Sequence, residues 1–147
     1  MRNCLLFVMA LLLACSISQA RLGENSQQVE ARYGKPLDGS IVPAGQEYSK
    51  YGDQLGRYSK NVYKIIIVFD EGKSVYESFQ KTNPYGLATL ANNDVEYFLG
   101  ANVADSTWTR QKDGLRWQRA DGAAVAVINP DHTSLIIHLV EAARKGI

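Results

Sequence analysis

Apolar positions along this chain follow two spacings, and the two alternate. Val29 and Tyr33 lie four apart in a polar stretch that opens at Asn25-Ser26 and closes at Gly34 and Pro36. That spacing predicts a short helix. Asn25 or Ser26 can accept from the free N–H groups of the first turn, Gly34 permits a left-handed stop, and Pro36 cannot continue the ladder. Val42 to Tyr58 is rich in Tyr and weakly strand-like, and Val62 to Phe69 (VYKIIIVF) is dense in β-branched residues. Asp70-Glu71-Gly72-Lys73 turns the chain and Ser74 to Gln80 brings it back, so the simplest reading is a helix followed by an antiparallel meander. Lys81 to Gly86, polar and broken by Pro84, reads as a joint.

The plan then recurs. V-E-x-x-x-G begins at Val29 and again at Val95, 66 positions later. Leu87 to Leu99 is the second expected helix, with Val95 and Leu99 four apart and Gly100 in the role of Gly34. Strands are expected at Thr107–Lys112, Leu115–Ala120, Ala123–Ile128 and Ser134–Val140, with Asp113-Gly114 and Asp121-Gly122 as two-residue hairpin loops that fix register. The fold class expected is therefore α+β: two tandem units, each a short helix followed by an antiparallel β-meander, with the helices packed on one face of the sheet. Residues 21–82 form the first unit and 83–147 the second, the two sharing one compact domain.

Hairpin register converts this pattern into faces. Arg110 should oppose Trp117, Trp108 oppose Arg119, and Trp117 oppose Ala126; with Asn129 to His132 as the last loop, Ala126 meets Leu135 and Ala124 meets Ile137. One face then carries Trp108, Leu115, Trp117, Ala124, Ala126, Ile128, Leu135, Ile137 and Leu139, a core face able to receive Val95, Phe98 and Leu99. Arg110 and Arg119 lie at its rim, each opposite a Trp on which a guanidinium can rest. The other face holds Arg116, Gln118, Val125, Val127, Ile136, His138 and Val140 among Thr109, Gln111, Ala123 and Ser134. A solvated sheet face reads mostly Thr, Lys, Glu and Ser; this one has an apolar patch flanked by Arg116, Gln118 and His138, and in the first unit Ile66 and Val68 share its parity.

The N-terminus adds a compartment. Met1-Arg2-Asn3 is a basic start, Cys4 to Ala14 is apolar, and Ser18-Gln19-Ala20 supplies small residues before Arg21, the pattern of a signal peptide over 1–20. Leu12-Leu13-Ala14-Cys15 also approximates a lipobox, in which Cys15 would be lipidated. The first alternative gives a periplasmic or secreted protein, the second a membrane-anchored lipoprotein, and both place the folded part outside the cytoplasm. Cys4 and Cys15 both lie in this leader, so the folded part has no disulfide and no thiol metal ligand. Arg2 is the only charged residue in 1–20, which leaves 15 basic and 15 acidic residues and no electrostatic case for a nucleic-acid partner.

Chemistry-bearing motifs are sparse. There is no G-x-S-x-G, phosphate loop or dinucleotide fingerprint. His132 in a loop and His138 in a strand do not have metal-ligand spacing. Asp70, Glu71, Asp113, Asp121 and Asp131 occupy turns, while Glu77 and Glu96 lie within elements. The basic residues Arg110, Lys112, Arg116 and Arg119 surround two Trp that point toward the core. No metal or cofactor is expected.

The run from Val29 to Gly34 and Pro36, an aromatic-rich stretch, and then IIIVFDEGK (Ile65 to Lys73) resembles the outer-membrane assembly lipoprotein family called SmpA or BamE. The tandem doubling is similar to that of the β-lactamase inhibitory protein, whose two units form one concave sheet surface. The resemblance implies an envelope or secreted protein that binds other proteins through its sheet, without catalysis; it carries over no contact residues. The functional expectation is a protein-binding module whose contact residues are Arg116, Gln118, Val125, Val127, Ile136 and His138. The alternatives are a lipid-anchored envelope scaffold, which Cys15 would decide and which alone implies a membrane partner, and an enzyme acting on an envelope polymer.

Overall fold

A computed structural model of the protein describes residues 22–36, 45–51 and 62–146. Helix α1 (Ser26–Tyr33) is followed by β1 (Gly45–Tyr51), β2 (Val62–Asp70), β3 (Lys73–Asn83) and β4 (Gly86–Ala88). Then come α2 (Asn92–Gly100), β5 (Trp108–Arg110), β6 (Arg116–Arg119), β7 (Ala124–Ile128), β8 (Ser134–Leu139) and the short α3 (Val140–Arg144). The α+β class is as expected.

All the described strands join one antiparallel sheet. Seven lie side by side in the order β1-β2-β3-β8-β7-β6-β5, and β4 pairs with the far end of β3. The seam between the two halves of the chain is β3 on β8, with Phe79 opposite Leu135 and Glu77 opposite Ile137. A two-residue slip of any strand would keep its faces but change its neighbours, so what fixes register is the turn chemistry.

The first helix forms as its sequence predicts. Asn25 is the N-cap and accepts from Gln28 N at 3.0 Å, while the Gln28 side chain accepts from Asn25 N at 3.0 Å, a reciprocal pair that satisfies two otherwise free donors. Gly34 ends it at φ 86°. The second helix starts five residues later than expected, because Leu87 lies in β4 and is exposed while Leu90 is buried. Gly100 is its last helical residue, not a left-handed stop; Ala101 follows in right-handed geometry. The stretch 81–86 is likewise no plain joint, since β3 runs on to Asn83 before Pro84 and Tyr85 turn it into β4.

One apolar cluster gathers Val29 and Tyr33 of α1, Tyr63, Ile65 and Ile67 of β2, Phe79 of β3, Val95, Phe98 and Leu99 of α2, and Ala124, Ala126, Ile128, Leu135 and Ile137 of β7 and β8. Phe98 lies stacked on Phe79 at 3.9 Å and meets Tyr63 edge-on at 5.4 Å, so α2 contacts β2 and β3 through one ring. Trp108, Leu115 and Trp117 border this cluster half-buried and do not fill it.

Two buried polar groups tie the segments together. Asp94, 1 % exposed, accepts from the Tyr63 hydroxyl (2.7 Å), Lys81 Nζ (2.8 Å) and Ala91 N (2.8 Å), linking the first turn of α2 to β2 and β3. Asn102, fully buried just past α2, accepts from Leu22 N at 3.0 Å and donates to Phe98 O and Glu77 Oε2. The N-terminal residues then run against β3, with Gly23 N on Ser74 O at 2.7 Å and Ser74 N on Glu24 O at 2.8 Å. At that point β3 carries a bulge: Ser74 opposes Phe69 and Tyr76 opposes Val68, leaving Val75 as the extra residue.

Candidate binding face of the sheet

The six expected contact residues share one face and fall on two adjacent rows across the strands. In one row Arg116 of β6 opposes Val127 of β7, which opposes Ile136 of β8; the row continues through Ser78 of β3 to Ile66 of β2. In the other, Gln118 opposes Val125, Val125 opposes His138, and the row continues through Tyr76 to Val68. Ile66 and Val68, expected from sequence only to share this face's parity, are joined by the β3–β8 seam to the same strip as Val127 and Val125.

This face is opposite the apolar cluster because side chains alternate along each strand. β7 reads buried, half-buried, buried, half-buried, buried from Ala124 to Ile128, and β8 follows the same alternation. Val125, Val127, Ile136 and His138 are half-buried, while Arg116 and Gln118 are exposed at the β6 end. Ser78 is 6 % exposed between Ile66 and Ile136, so the middle of the strip carries a smaller side chain than either side.

Polar groups on the strip are held in place. Arg116 Nε donates to Asp113 Oδ2 at 2.5 Å. That guanidinium, followed by the Leu115 N–H, holds the Asp113 carboxyl below the usual carboxylate range. The pair is open to water and is worth little to stability, but it aims Arg116. His138 Nδ1 lies 3.1 Å from the Leu139 carbonyl oxygen; a carbonyl only accepts, so Nε2 is left as the acceptor of the neutral ring.

The loop register differs from expectation at one hairpin. Ala126 opposes Ile137 and Ala124 opposes Leu139, not Leu135 and Ile137, and Ile128 opposes Leu135. The cause is the turn. Asn129 N donates to Ser134 O, Ser134 N donates to Asn129 Oδ1 at 2.8 Å, and Asn129 Nδ2 meets Thr133 Oγ1, which moves the four-residue loop on by one position, shifts the register by two and leaves both faces unchanged.

Other sequence candidates separate. Arg110 rests over the Trp117 ring at 5.3 Å, as its register implies. Arg119 does not lie on an indole; it is buried, with Nε on Asp121 at 3.0 Å and Nη1 on Asn102 O at 3.2 Å. Glu77 is fully buried on the core face, whereas Glu96 is exposed and makes no hydrogen bond or ion pair among the described residues, so these two carboxylates do not pair. Among the described residues no group of three or more His, Cys, Asp or Glu is placed to hold a metal. Cys15 and the expected signal segment lie outside the described residues.

Tyr76 and Ser78 were not singled out in the sequence because their membership depends on pairing between distant strands. The alternation in Tyr76, Ser78 and Gln80, opposite in parity to Glu77 and Phe79, was the available signal. No family model, no curated protein and no solved structure matches the chain.

Proposed function

We propose that this chain is an exported, non-catalytic module that binds another protein through the outward sheet face, with Arg116, Gln118, Val125, Val127, Ile136 and His138 in contact with the partner. One observation carries the reading: pairing lines up the residues of that face in two rows from Ile66 and Val68 on β2 to Val127 and Val125 on β7, mostly apolar but carrying Ser78 in one and His138 in the other, with polar side chains at the β6 end. A strip of mostly β-branched and aromatic side chains that ends in aimed polar groups has the composition of an interface core and rim. The tandem reading belongs to the same proposal. Helix, strands, helix, strands is the order of elements, and pairing the last strand of the second set against β3 gives one wide surface where each set alone would give a narrow one.

The test is Val127→Asp, which places a carboxylate in the middle of a row. A photo-crosslinker at position 136 in the otherwise unchanged chain should capture a partner in the native envelope fraction. The same probe in the Val127→Asp background should lose that product while the melting temperature changes by only about 2 °C. Unfolding of the variant would show instead that Val127 is core, and an undiminished product would place the contact elsewhere.

A further inference from the structure

On the helix side of the sheet, beyond the end of the apolar cluster, α2 and the strands β5 to β7 enclose a trough of about 190 Å³. The helix contributes one wall. Val95 and Leu99, four apart and buried, lie on one side of the helix, and Glu96 beside Val95 is exposed. The strands contribute Arg110, Trp117 and Ile128, and two further polar residues, Asn92 of α2 and His132 of the β7–β8 loop, complete the lining.

Two features distinguish this trough from an ordinary crevice. Arg110 is fixed before anything arrives: Nε and Nη2 both donate to the Gly114 carbonyl, at 3.0 and 2.6 Å, and the guanidinium lies over the Trp117 ring. Its partners are a neutral carbonyl and an indole, and among the described residues no carboxylate pairs with it. Glu96, which lines the same trough, makes no hydrogen bond or ion pair among the described residues. The trough therefore brings together a positive and a negative group, neither in an ion pair among the described residues, with the apolar Val95, Leu99 and Ile128 and the polar Asn92 and His132. A preformed cation lowers the ordering cost of binding an anion.

Size narrows the class. At roughly 30 Å³ of liquid per water, the volume corresponds to about six waters, the room for an amino acid and not for a drug-sized ligand. We propose that this trough binds a small zwitterion, an α-amino acid with a branched aliphatic or aromatic side chain. Arg110 takes its carboxylate, Glu96 takes its ammonium, and the side chain lies on Val95, Leu99 and Ile128. The site is separate from the outward sheet face and does not depend on it.

The test is titration of the full chain with L-leucine and L-phenylalanine, followed by amide chemical shifts of residues 95–99 and 128. N-acetyl-L-leucine, which lacks the ammonium, and L-leucinamide, which lacks the carboxylate, serve as paired probes. Saturable shifts with the free amino acids are expected, with affinity about tenfold weaker for each blocked probe. Glu96→Gln should remove the preference for L-leucine over its N-acetyl form, and Arg110→Gln the preference over the amide. Both substitutions are at exposed positions, and unchanged circular dichroism would confirm that each variant folds. Absence of saturable shifts, or equal affinity for all three leucine probes, overturns the proposal.

Discussion

Asp94 is the carboxylate on which the most structure converges, and nothing in its local sequence marks it. It lies at the third position of α2, where Ala91 as N-cap has no side-chain acceptor to offer, so Asp94 takes the Ala91 N–H itself. Burial alone would raise its pKa, yet hydrogen bonds from Lys81, Tyr63 and the Ala91 backbone outweigh that and hold it below the usual carboxylate range. The same contact works in the other direction on Tyr63: burial first, then the bond to Asp94 and its charge, push the phenol above an ordinary tyrosine. Because the folded value for Asp94 lies below the unfolded one, its stabilisation is fully present above about pH 4 and is lost as pH falls through the folded value. Asp94→Ala should cost about 3 kcal/mol at neutral pH, since it leaves Lys81 and Tyr63 partly buried without their acceptor. Urea titrations at pH 7 and pH 3 test this: the gap between wild type and variant should narrow at the lower pH. A constant gap would mean that only packing was lost.

At the scale of elements, the three hairpins of the second half share one turn. Gly114 N donates to Gln111 O, Gly122 N to Arg119 O and His132 N to Asn129 O, and in each the preceding Asp accepts from the backbone two residues on. Gly114 and Gly122 take φ of 69° and 71°, and His132 takes 57°. Two of these turns were legible because Asp-Gly announces a left-handed position; the third was not, since histidine there hides the same geometry. That is why the register of β8 slips by two from the sequence reading while its faces hold. His132→Gly should remove the left-handed cost of a side chain and stabilise the protein by about 0.5–1 kcal/mol, a rise of roughly 2–4 °C in melting temperature. A lowered temperature would mean that the imidazole makes contacts worth more than the strain. The start of α2 was misplaced for a related reason. Leu87 has the apolar character of a helix residue, but Gly86 at φ 124° and the pairing of Leu87 with Thr82 put it in a strand.

For the molecule as a whole, alternation in β7 and β8 and the β-branched run of β2 made the two faces readable, while the joining of β3 to β8 was not, because strand partners 50 and more residues apart carry no local mark. Yet that seam determines how the protein unfolds. Phe79 is fully buried at the seam, stacked on Phe98 and opposite both Ile65 and Leu135, so residues from both halves of the chain close around one ring. If each half held its own core, damage in one would leave the other standing. Here the apolar cluster is shared, and the buried bonds of Asn102 to Leu22 and Glu77 fasten the N-terminal segment, α2 and β3 together. Phe79→Ala should therefore cost about 3–5 kcal/mol and lower a single melting transition, seen equally by tryptophan fluorescence, which reports only the second half, and by far-UV circular dichroism, which reports both. Trp108 and Trp117 are the only tryptophans, so the two probes sample different portions of the chain. Two separated transitions, with the tryptophan signal persisting after half of the strand signal is lost, would mean that the halves are independent and the strip across β3 and β8 is not one surface.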